Sequence, residues 1–118
     1  MEIGKSSVAK TIVSLENTAK AVGSGSLDVF GTPMMIALME QAAAAAIPEA
    51  SVGTQISVEH TAASPLGAQI TATAVITSVE KRKITFDITA RDDKKEIGKG
   101  THTRFIIDPE KFMAKLEN

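Results

Sequence analysis

The fold of this chain is decided by the stretch Pro33-Met34-Met35-Ile36-Ala37-Leu38-Met39-Glu40-Gln41-Ala42-Ala43-Ala44-Ala45-Ala46-Ile47. This stretch is apolar on nearly every side, which is typical of a helix buried inside a protein. Thr32 is a good N-cap, and Pro33 suits the first helical position because no backbone N–H is needed there. Pro48 ends the pattern. The sequence therefore predicts one long buried helix from about Pro33 to Ile47.

On both sides of this helix the sequence has the pattern of β-strands. Ile56, Val58 and His60 alternate with polar residues, and so do Ile84 and Phe86 in a later segment. Such alternation indicates half-buried strands. The predicted strands cover about residues 6–15, 54–60, 68–80, 84–91 and 96–107, with a turn or short helix at 16–22, a flexible loop at 23–26 and a short helix opening at 108–110. Because short turns join the last four strands, we expect an α+β fold in which an antiparallel sheet packs against one long helix.

Length and composition place the chain among globular proteins and exclude several classes. At 118 residues we expect a single domain, residues 1–118, since the chain is too short to divide. A formal net charge of −1 gives no basic surface for nucleic acid. The chain has no cysteine, which excludes disulfides and a cysteine nucleophile. It has no metal-ligand spacing and no dinucleotide motif, so we expect neither a metal nor a bound redox cofactor.

The N-terminus and the apolar run predict the compartment. Residues Met1 to Ser6 lack the apolar core of a signal peptide. The helix run is too short to span a membrane and is interrupted by Glu40 and Gln41. We therefore expect a cytoplasmic protein with no membrane partner.

The predicted fold leaves surface that a second copy of the chain would cover. A sheet packed on one apolar helix has a free edge strand and part of a face exposed. Closed two-fold dimers are the commonest assemblies of soluble proteins, and they cover such surface. We expect a homodimer.

Glu40 is the one carboxylate in the apolar run, and it is the first candidate for chemistry. A carboxylate in apolar surroundings needs a partner. Because side chains alternate along a strand, His60 points to the same side as Ile56 and Val58, toward the helix layer. A pair of Glu40 and His60 would fix the imidazole tautomer and leave the other ring nitrogen free for proton transfer.

Thr32 adds a second element at the start of the helix. Free N–H groups at a helix N-terminus can polarise a carbonyl or hold developing negative charge. Thr32 lies eight residues from Glu40, which is about 12 Å along a helix. The two side chains cannot touch within one helix. Either His60 and a ligand lie between them, or one site draws them from two copies of a dimer.

The residues alone leave a structural interpretation open beside the catalytic one. A threonine before proline is most often only a cap, and a lone histidine on an apolar strand face is more often a satisfied core residue than a catalyst. Glu40 is harder to explain in this way, since charged residues are rarely buried without a partner. An acid/base site and a buried pair without chemistry both remain open at this point.

Four segments around these residues carry a resemblance to a known family. They are Val29-Phe30-Gly31-Thr32, Leu38-Met39-Glu40, Val58-Glu59-His60-Thr61-Ala62-Ala63-Ser64-Pro65-Leu66-Gly67 and Glu96-Ile97-Gly98-Lys99-Gly100-Thr101-His102-Thr103-Arg104. The third and fourth segments are the more specific. Because their spacing is kept, from about Gly23 to Lys115, the chain resembles the hotdog-fold acyl-CoA thioesterases, and among them the fluoroacetyl-CoA thioesterase-like family.

The resemblance implies a hotdog fold, in which each antiparallel sheet wraps around one long central helix and two copies form a homodimer with acyl-CoA sites at the interface. It implies a thioesterase that hydrolyses a short-chain acyl-CoA to free acid and CoA, with CoA as part of the substrate and no cofactor. Its implied catalytic residues are Glu40, which orients His60, His60 as general base, and Thr32 as nucleophile or hydrogen-bond donor. It also implies substrate-binding roles for Gly53, through a backbone group near the thioester carbonyl, and for Arg104, for which a place at the dimer interface is equally open.

One departure from the family bears on the substrate. The fluoroacetyl-specific enzyme carries an aromatic lid residue just upstream of its Val-Phe-x-Thr segment, whereas this chain reads Ser26-Leu27-Asp28 before Val29. A general short-chain acyl-CoA thioesterase is therefore the expected activity. A non-catalytic protein that binds acyl-CoA or another small apolar ligand is the alternative. The acyl group, a covalent role for Thr32 and the copy that supplies each site residue stay open.

Overall fold

Five strands and three helices make up residues 1–117, the part of the chain that the computed structural model describes. In chain order they are β1 (Ser6–Ile12), α1 (Ala19–Val22), α2 (Thr32–Ala45), β2 (Ser51–His60), β3 (Gln69–Glu80), β4 (Lys83–Arg91), β5 (Glu96–Ile106) and α3 (Pro109–Leu116). The strands form one antiparallel sheet in the order β1-β3-β4-β5-β2. The expected α+β fold, a five-stranded antiparallel sheet with a helix packed against it, is confirmed.

One face of the sheet and one side of α2 form the core. Along β4, Ile84, Phe86 and Ile88 are buried and the residues between them are more exposed, as their alternation predicts. α2 supplies a matching set of buried side chains: Met35, Leu38, Met39, Ala42 and Ala43. Burial of each large apolar side chain contributes about 1.5–3 kcal/mol. This contact between α2 and the sheet is therefore a large contribution to the stability of the fold.

α2 begins one residue earlier than the sequence predicts. Gly31 is the N-cap, and its carbonyl accepts from the amides of Met34 and Met35 at 3.0 Å each. Thr32 is therefore the first helical residue and not the cap, and no side-chain hydrogen bond caps the helix. A glycine can take the cap position at little cost. This leaves the Thr32 hydroxyl free for another partner.

α2 is exposed along one side, in contrast to the helix buried all round that its sequence predicts. Pro33, Ala37, Gln41 and Ala45 recur every fourth residue and are exposed in the single chain. The reason is geometric, because one sheet covers only one side of a helix.

Among residues 1–117, no helix combines the length and the apolar character needed to cross a membrane.

β2 begins at Ser51, three residues before the predicted start at Thr54. Its first residues pair with β5, and the register shifts between Gly53 and Gln55, so Thr54 bulges out of the ladder. Glycine and a bulge both weaken the sequence signal of a strand. The later part of β2 matches the prediction, with Ile56, Val58 and His60 half-buried and their neighbours exposed.

Candidate active site

Thr32 and His60 meet where the start of α2 lies beside the end of β2. Thr32 Oγ1 is 2.7 Å from His60 Nδ1. In the tautomer that carries its proton on Nε2, Nδ1 accepts this hydrogen bond from the hydroxyl. The imidazole can then take the hydroxyl proton, which is the geometry of a general base and an activated hydroxyl.

The other side of the His60 ring is unusual. Nε2 is buried and has no hydrogen-bond partner among residues 1–117. Burial lowers the pKa of His60, and the backbone of Ala62 opposes this shift. The ring is therefore neutral near pH 7, as a base must be. A buried polar atom without a partner is uncommon and needs an explanation.

The first turn of α2 offers one free amide, fewer than the sequence analysis expects. Pro33 has no N–H, and the amides of Met34 and Met35 bond to the Gly31 carbonyl. Among residues 1–117, only Thr32 keeps a first-turn amide without a hydrogen bond. Thr32 thus presents a hydroxyl and an N–H at one point, at the positive end of the helix dipole.

A cavity of about 260 Å³ opens at this point, and both Thr32 and His60 line it. Val29 and Phe30 form its apolar side, and Ala19 lies at its rim beside α1. Its size suits a small acyl group, since sites for larger ligands run from about 300 to 1,000 Å³. A larger hollow of about 410 Å³ lies on the opposite face of the sheet, but its lining does not include Thr32 or His60.

The segment before Thr32 is held by a buried network that sequence analysis missed. Phe30 donates its amide to the Ser64 carbonyl at 3.0 Å, and the Ser64 hydroxyl donates to Asp92 Oδ2 at 2.9 Å. Asp92 is only 4% exposed. Its carboxylate also accepts from Lys95 Nζ and from the amides of Lys94 and Lys95. The sequence signal for this network is the turn segment that Asp92 opens, because an aspartate at the start of a turn often accepts hydrogen bonds from backbone amides two and three residues later.

The hydrogen bonds decide the charge of Asp92. Burial by itself would raise the pKa of this carboxyl. The hydrogen bonds from Lys95, from the Lys94 amide and from Ser64 outweigh burial and hold the pKa well below its ordinary value. Asp92 is therefore a fixed anion that ties the turn between β4 and β5 to the loop that carries Phe30.

Glu40 lies away from His60 and in a second cluster. Glu40 Oε2 is 3.7 Å from Arg104 Nη1 and 4.0 Å from His102 Nε2. No atom pair joins the Glu40 carboxylate and the His60 ring within 4.0 Å in residues 1–117. The expected pair of Glu40 and His60 is therefore not formed within one chain. The reason is position along the helix, because His60 lies at the N-terminus of α2 and Glu40 lies two turns farther on.

Glu40 is also less buried than its apolar neighbours predict, since 41% of its side chain is exposed. Gly53 packs directly over it. A Cβ atom at Gly53 would lie 2.6 Å from Glu40 Oε2, 3.1 Å from His102 Cε1 and 3.3 Å from Arg104 Nη1. The nearest of these atoms is the movable end of the Glu40 side chain, so a Cβ here would displace the carboxylate and not the backbone.

Arg104 and His102 lie side by side on the inner face of β5. Arg104 donates Nε to the Ser51 hydroxyl at 2.8 Å and Nη2 to the Ser51 carbonyl at 2.9 Å. Burial lowers the pKa of Arg104, and Glu40 opposes this shift. His102 Nδ1 lies 2.7 Å from the Gln55 carbonyl, and its Nε2 lies 3.3 Å from Arg104 Nη1. The sequence places His102 on the same strand face as Arg104 and ranks it below Arg104, outside the predicted site residues.

One chain thus carries two separate clusters. The first contains Thr32 and His60, and the second contains Glu40, Arg104 and Gly53 with its neighbours. Within the described part of the chain, no group of three His, Asp or Glu side chains is arranged to hold a metal ion. The structure brings together Thr32 and His60, and it brings together the remaining site residues, but it does not join the two sets.

Comparisons with known proteins give a consistent result. Residues 13–110 match the family model described as fluoroacetyl-CoA-specific thioesterase. The chain is 45% identical over 95 residues to the fluoroacetyl-CoA thioesterase of Streptantibioticus cattleyicolor, a match that covers 75% of this chain and 68% of that protein.

Solved structures agree in fold. A variant of the fluoroacetyl-CoA thioesterase in complex with acetyl-CoA is 36% identical, with a TM-score of 0.91 over 99% of this chain and 97% of that one. A hot-dog-like protein from Thermanaerovibrio acidaminovorans, 22% identical, has a TM-score of 0.86 over 98% of this chain and 90% of that one. The second likeness concerns the fold alone.

Proposed function

Because this chain belongs to the fluoroacetyl-CoA-specific thioesterase family and is an acyl-CoA thioesterase, we propose that it hydrolyses short-chain acyl-CoA at a site built from Thr32, Glu40 and His60. The observation that carries this proposal is the 2.7 Å contact between the Thr32 hydroxyl and His60 Nδ1. Through this contact His60 could take the proton of the Thr32 hydroxyl, beside a cavity of the size of a small acyl group.

The reaction consumes one water and releases the free acid and CoA thiol. In one route, Thr32 Oγ1 attacks the thioester carbon and His60 takes its proton, which then goes to the departing CoA thiolate. Water hydrolyses the acyl-Thr32 ester with His60 again as base. In the other route, the Thr32 hydroxyl turns from His60 to donate its hydrogen bond to the acyl group. His60 Nδ1 then takes a proton from the water that attacks the thioester carbon and passes it to the departing CoA thiolate. General-base catalysis of this kind contributes about 10²–10⁴-fold to rate.

The carbonyl oxygen of the thioester gains negative charge in either route. The free amide of Thr32 and a backbone group of Gly53 are the donors that we assign to it. Fixed donors aimed at developing charge are among the largest contributions to catalysis. The helix dipole of α2 adds to the effect, since Thr32 is its first residue.

The site is completed by a second copy of the chain. β2 lies at an edge of the sheet and pairs only with β5 among the described strands. If two β2 strands pair antiparallel about a two-fold axis at Ser57, His60 of one copy lies opposite the bulge of Gly53 and Thr54 in the other, because both lie about three positions from that axis. Gly53 packs over Glu40. The pairing therefore brings Glu40 of one copy to the Thr32 and His60 cluster of its partner.

Three features of the single chain support this homodimer. Glu40 is partly exposed at 41%, although it is tied to a cluster beside the free edge of β2. The exposed side of α2 is mostly apolar, with Pro33, Ala37 and Ala45 around the single polar residue Gln41. His60 Nε2 is buried without a partner among residues 1–117. In the proposed dimer, Glu40 of one copy orients His60 of the other. Each copy has a hotdog fold, in which the sheet wraps around its own helix.

The substrate is a short acyl thioester of CoA. The complex of a related thioesterase with acetyl-CoA supports this choice. Arg104 contributes to substrate binding from its position beside Glu40. Leu27, in the segment where the fluoroacetyl-specific enzyme has an aromatic lid, is 65% exposed and does not line the cavity. We therefore propose a general short-chain specificity and not discrimination for the fluoroacetyl group.

Thiol release from a panel of acyl-CoAs tests the activity. We expect turnover with acetyl-CoA and its short homologues and a fall of about 10²-fold or more in kcat for His60→Ala and Glu40→Gln. Absence of turnover on every acyl-CoA, or undiminished kcat in both variants, overturns the proposal. Mass spectrometry of rapidly quenched enzyme separates the two routes, since only the first yields acyl-Thr32.

Mixing two inactive variants tests whether the site is shared. His60→Ala and Glu40→Gln chains, unfolded together and refolded at equal amounts, form about one half mixed dimers, each with one intact site. We expect about a quarter of wild-type activity to return. A mixture as inactive as its parts, in a sample shown to contain mixed dimers, places all site residues in one chain.

A further inference from the structure

We infer that His102 is a positioning residue of this thioesterase, which aims Arg104 and, through it, the carboxylate of Glu40. The inference rests on the proposed role of Glu40 in catalysis. The observations that carry it are the hydrogen bonds of two buried side chains, His102 at 1% and Arg104 at 8% exposure.

The tautomer of His102 follows from its neighbours. Nδ1 lies 2.7 Å from the Gln55 carbonyl oxygen. A carbonyl can only accept, so Nδ1 carries the proton and donates. Nε2 lies 3.3 Å from Arg104 Nη1, and a guanidinium can only donate. Nε2 is therefore the unprotonated acceptor, and both ring nitrogens are satisfied only when His102 is neutral.

The environment of the ring favours this neutral form. Burial lowers the pKa of His102 and the positive charge of Arg104 lowers it further, and together they outweigh the Gln55 carbonyl and the negative charge of Glu40, which raise it. The ring also stacks on Phe86, with centroids 6.1 Å apart and planes inclined by 27°. A rigid, neutral acceptor is thus held beside the guanidinium.

Arg104 is fixed on three sides as a result. Two of its nitrogens donate to the hydroxyl and the carbonyl of Ser51, and Nη1 donates to His102. Nη1 also forms an ion pair with Glu40, whose Oε2 is 3.7 Å away. Because the guanidinium is planar and rigid, fixing three of its N–H groups also fixes where its charge lies beside Glu40.

Gly53 leaves room for this ion pair, since a Cβ there would lie 2.6 Å from Glu40 Oε2 and 3.3 Å from Arg104 Nη1. The carboxylate thus lies beside the guanidinium, and the position of the guanidinium depends on His102. A displacement of about 1 Å in a catalytic group can reduce the rate about 10²-fold. Loss of the acceptor at residue 102 should therefore reduce turnover through Glu40.

Nitrogen-15 NMR of the wild-type protein tests the tautomer directly. The chain has two histidines, so the His60→Ala variant assigns both rings. We expect a protonated Nδ1 and an unprotonated Nε2 for His102 at neutral pH. A protonated Nε2 overturns the inference, whatever the kinetics of any variant.

Kinetics of three variants test the function. In His102→Gln, the side-chain amide can donate to Gln55 and accept from Arg104, and we expect it to keep most of kcat. In His102→Phe, the ring shape remains but the acceptor is lost, and we expect kcat to fall about 10- to 100-fold, as for other groups that orient a catalytic side chain. Thr101→Ser, on the outer face of the same strand, is the control and should leave kcat and the melting temperature unchanged.

A double-mutant cycle separates positioning from a general effect on the fold. If His102 acts through Glu40, His102→Phe causes no further loss of residual turnover in a Glu40→Gln background. Equal losses in both backgrounds, or wild-type kcat in His102→Phe, overturn the inference. If His102→Phe does not fold, His102→Asn, too short to reach both neighbours, takes its place in the cycle.

The thiol-release assay of the wild-type protein distinguishes failure of the His102 inference from failure of the proposed thioesterase function. Wild-type protein that hydrolyses no acyl-CoA contradicts the proposed function itself. Active wild-type protein with an inactive Glu40→Gln and an unimpaired His102→Phe contradicts only the role of His102.

Discussion

The Thr32 hydroxyl and the His60 ring are joined by a 2.7 Å hydrogen bond between the first residue of α2 and the last residue of β2. Gly31 makes this contact possible, because Gly31 is the N-cap of the helix and the Thr32 hydroxyl therefore forms no capping hydrogen bond. The contact is therefore not part of the helix cap.

Removal of the Thr32 hydroxyl should affect activity and not folding. We expect Thr32→Ala to lower kcat about 10²-fold or more, and Thr32→Ser, which keeps the hydroxyl, to stay within the same order as wild type. Thr32 is exposed and does not cap α2, so neither variant should shift the melting temperature by more than a few degrees. Steady-state kinetics and thermal unfolding check this. A Thr32→Ala variant with wild-type kcat excludes Thr32 from the reaction.

The pH dependence of kcat/KM should report His60 as a base. A base is active when unprotonated, so activity is present above its pKa and falls as pH drops through it. Burial lowers the pKa of His60, whereas the carboxylate of the partner's Glu40 in the proposed dimer raises it. The midpoint of the acid limb should therefore lie at lower pH in Glu40→Gln than in wild type. Profiles measured from pH 4 to 8 on a neutral acyl group test the expectation, and equal midpoints in the two proteins contradict it.

Gly53→Ala should reduce activity by moving Glu40. The added Cβ would lie 2.6 Å from Glu40 Oε2, the movable end of its side chain, so the carboxylate must shift while the backbone stays. We expect kcat to fall about 10-fold or more and the melting temperature to change by only a few degrees. In a Glu40→Asp background the shorter side chain leaves room for the methyl group. If Gly53→Ala is as harmful there, a displaced carboxylate is not the cause.

Asp92 should make stability depend on pH in the acid range. Its folded pKa lies well below the ordinary 3.8, so the unfolded chain binds a proton in a range where the folded chain does not. Its contribution to the free energy of unfolding is therefore complete above about pH 4 and declines as pH falls below that value toward the folded pKa.

Asp92→Asn isolates this contribution. We expect a loss of about 1.5–3 kcal/mol at neutral pH and a flatter dependence of stability on pH below about 4, both measured by urea unfolding. Asp93→Asn is the matched control, since its side chain is exposed next to Asp92. Parallel pH curves for wild type and Asp92→Asn would remove Asp92 from the acid dependence.

Periodicity predicted the fold because it reports which side of a strand or helix is buried. The alternation of Ile84, Phe86 and Ile88 defines the inner face of β4, and the apolar run defines α2. Ends of elements were less predictable. Gly31 caps α2 through its backbone, and the bulge after Gly53 belongs to the pairing of β2 with β5, so neither has a strong signal in its own residue type.

The candidate site was predictable in its members but not in its pairs. Sequence singles out Glu40 and His60 because each is a polar residue on an apolar face. Such a pattern fixes the side on which a residue lies but not its height along the helix, and the single chain pairs His60 with Thr32 instead. His102 was missed for a related reason, because its partners, Gln55 and Arg104, come together only through strand register.

The distance along α2 between Thr32 and Glu40, about two helical turns, has a consequence for how activity arises in the proposed dimer. A single chain can fold its core and its sheet and still have no activity toward substrate, so folding and activation are separate events. Turnover per chain should then fall on dilution once dimers dissociate, with no loss of secondary structure. Each dimer that forms or dissociates gains or loses two active sites, so the protein concentration determines the fraction of chains that are active.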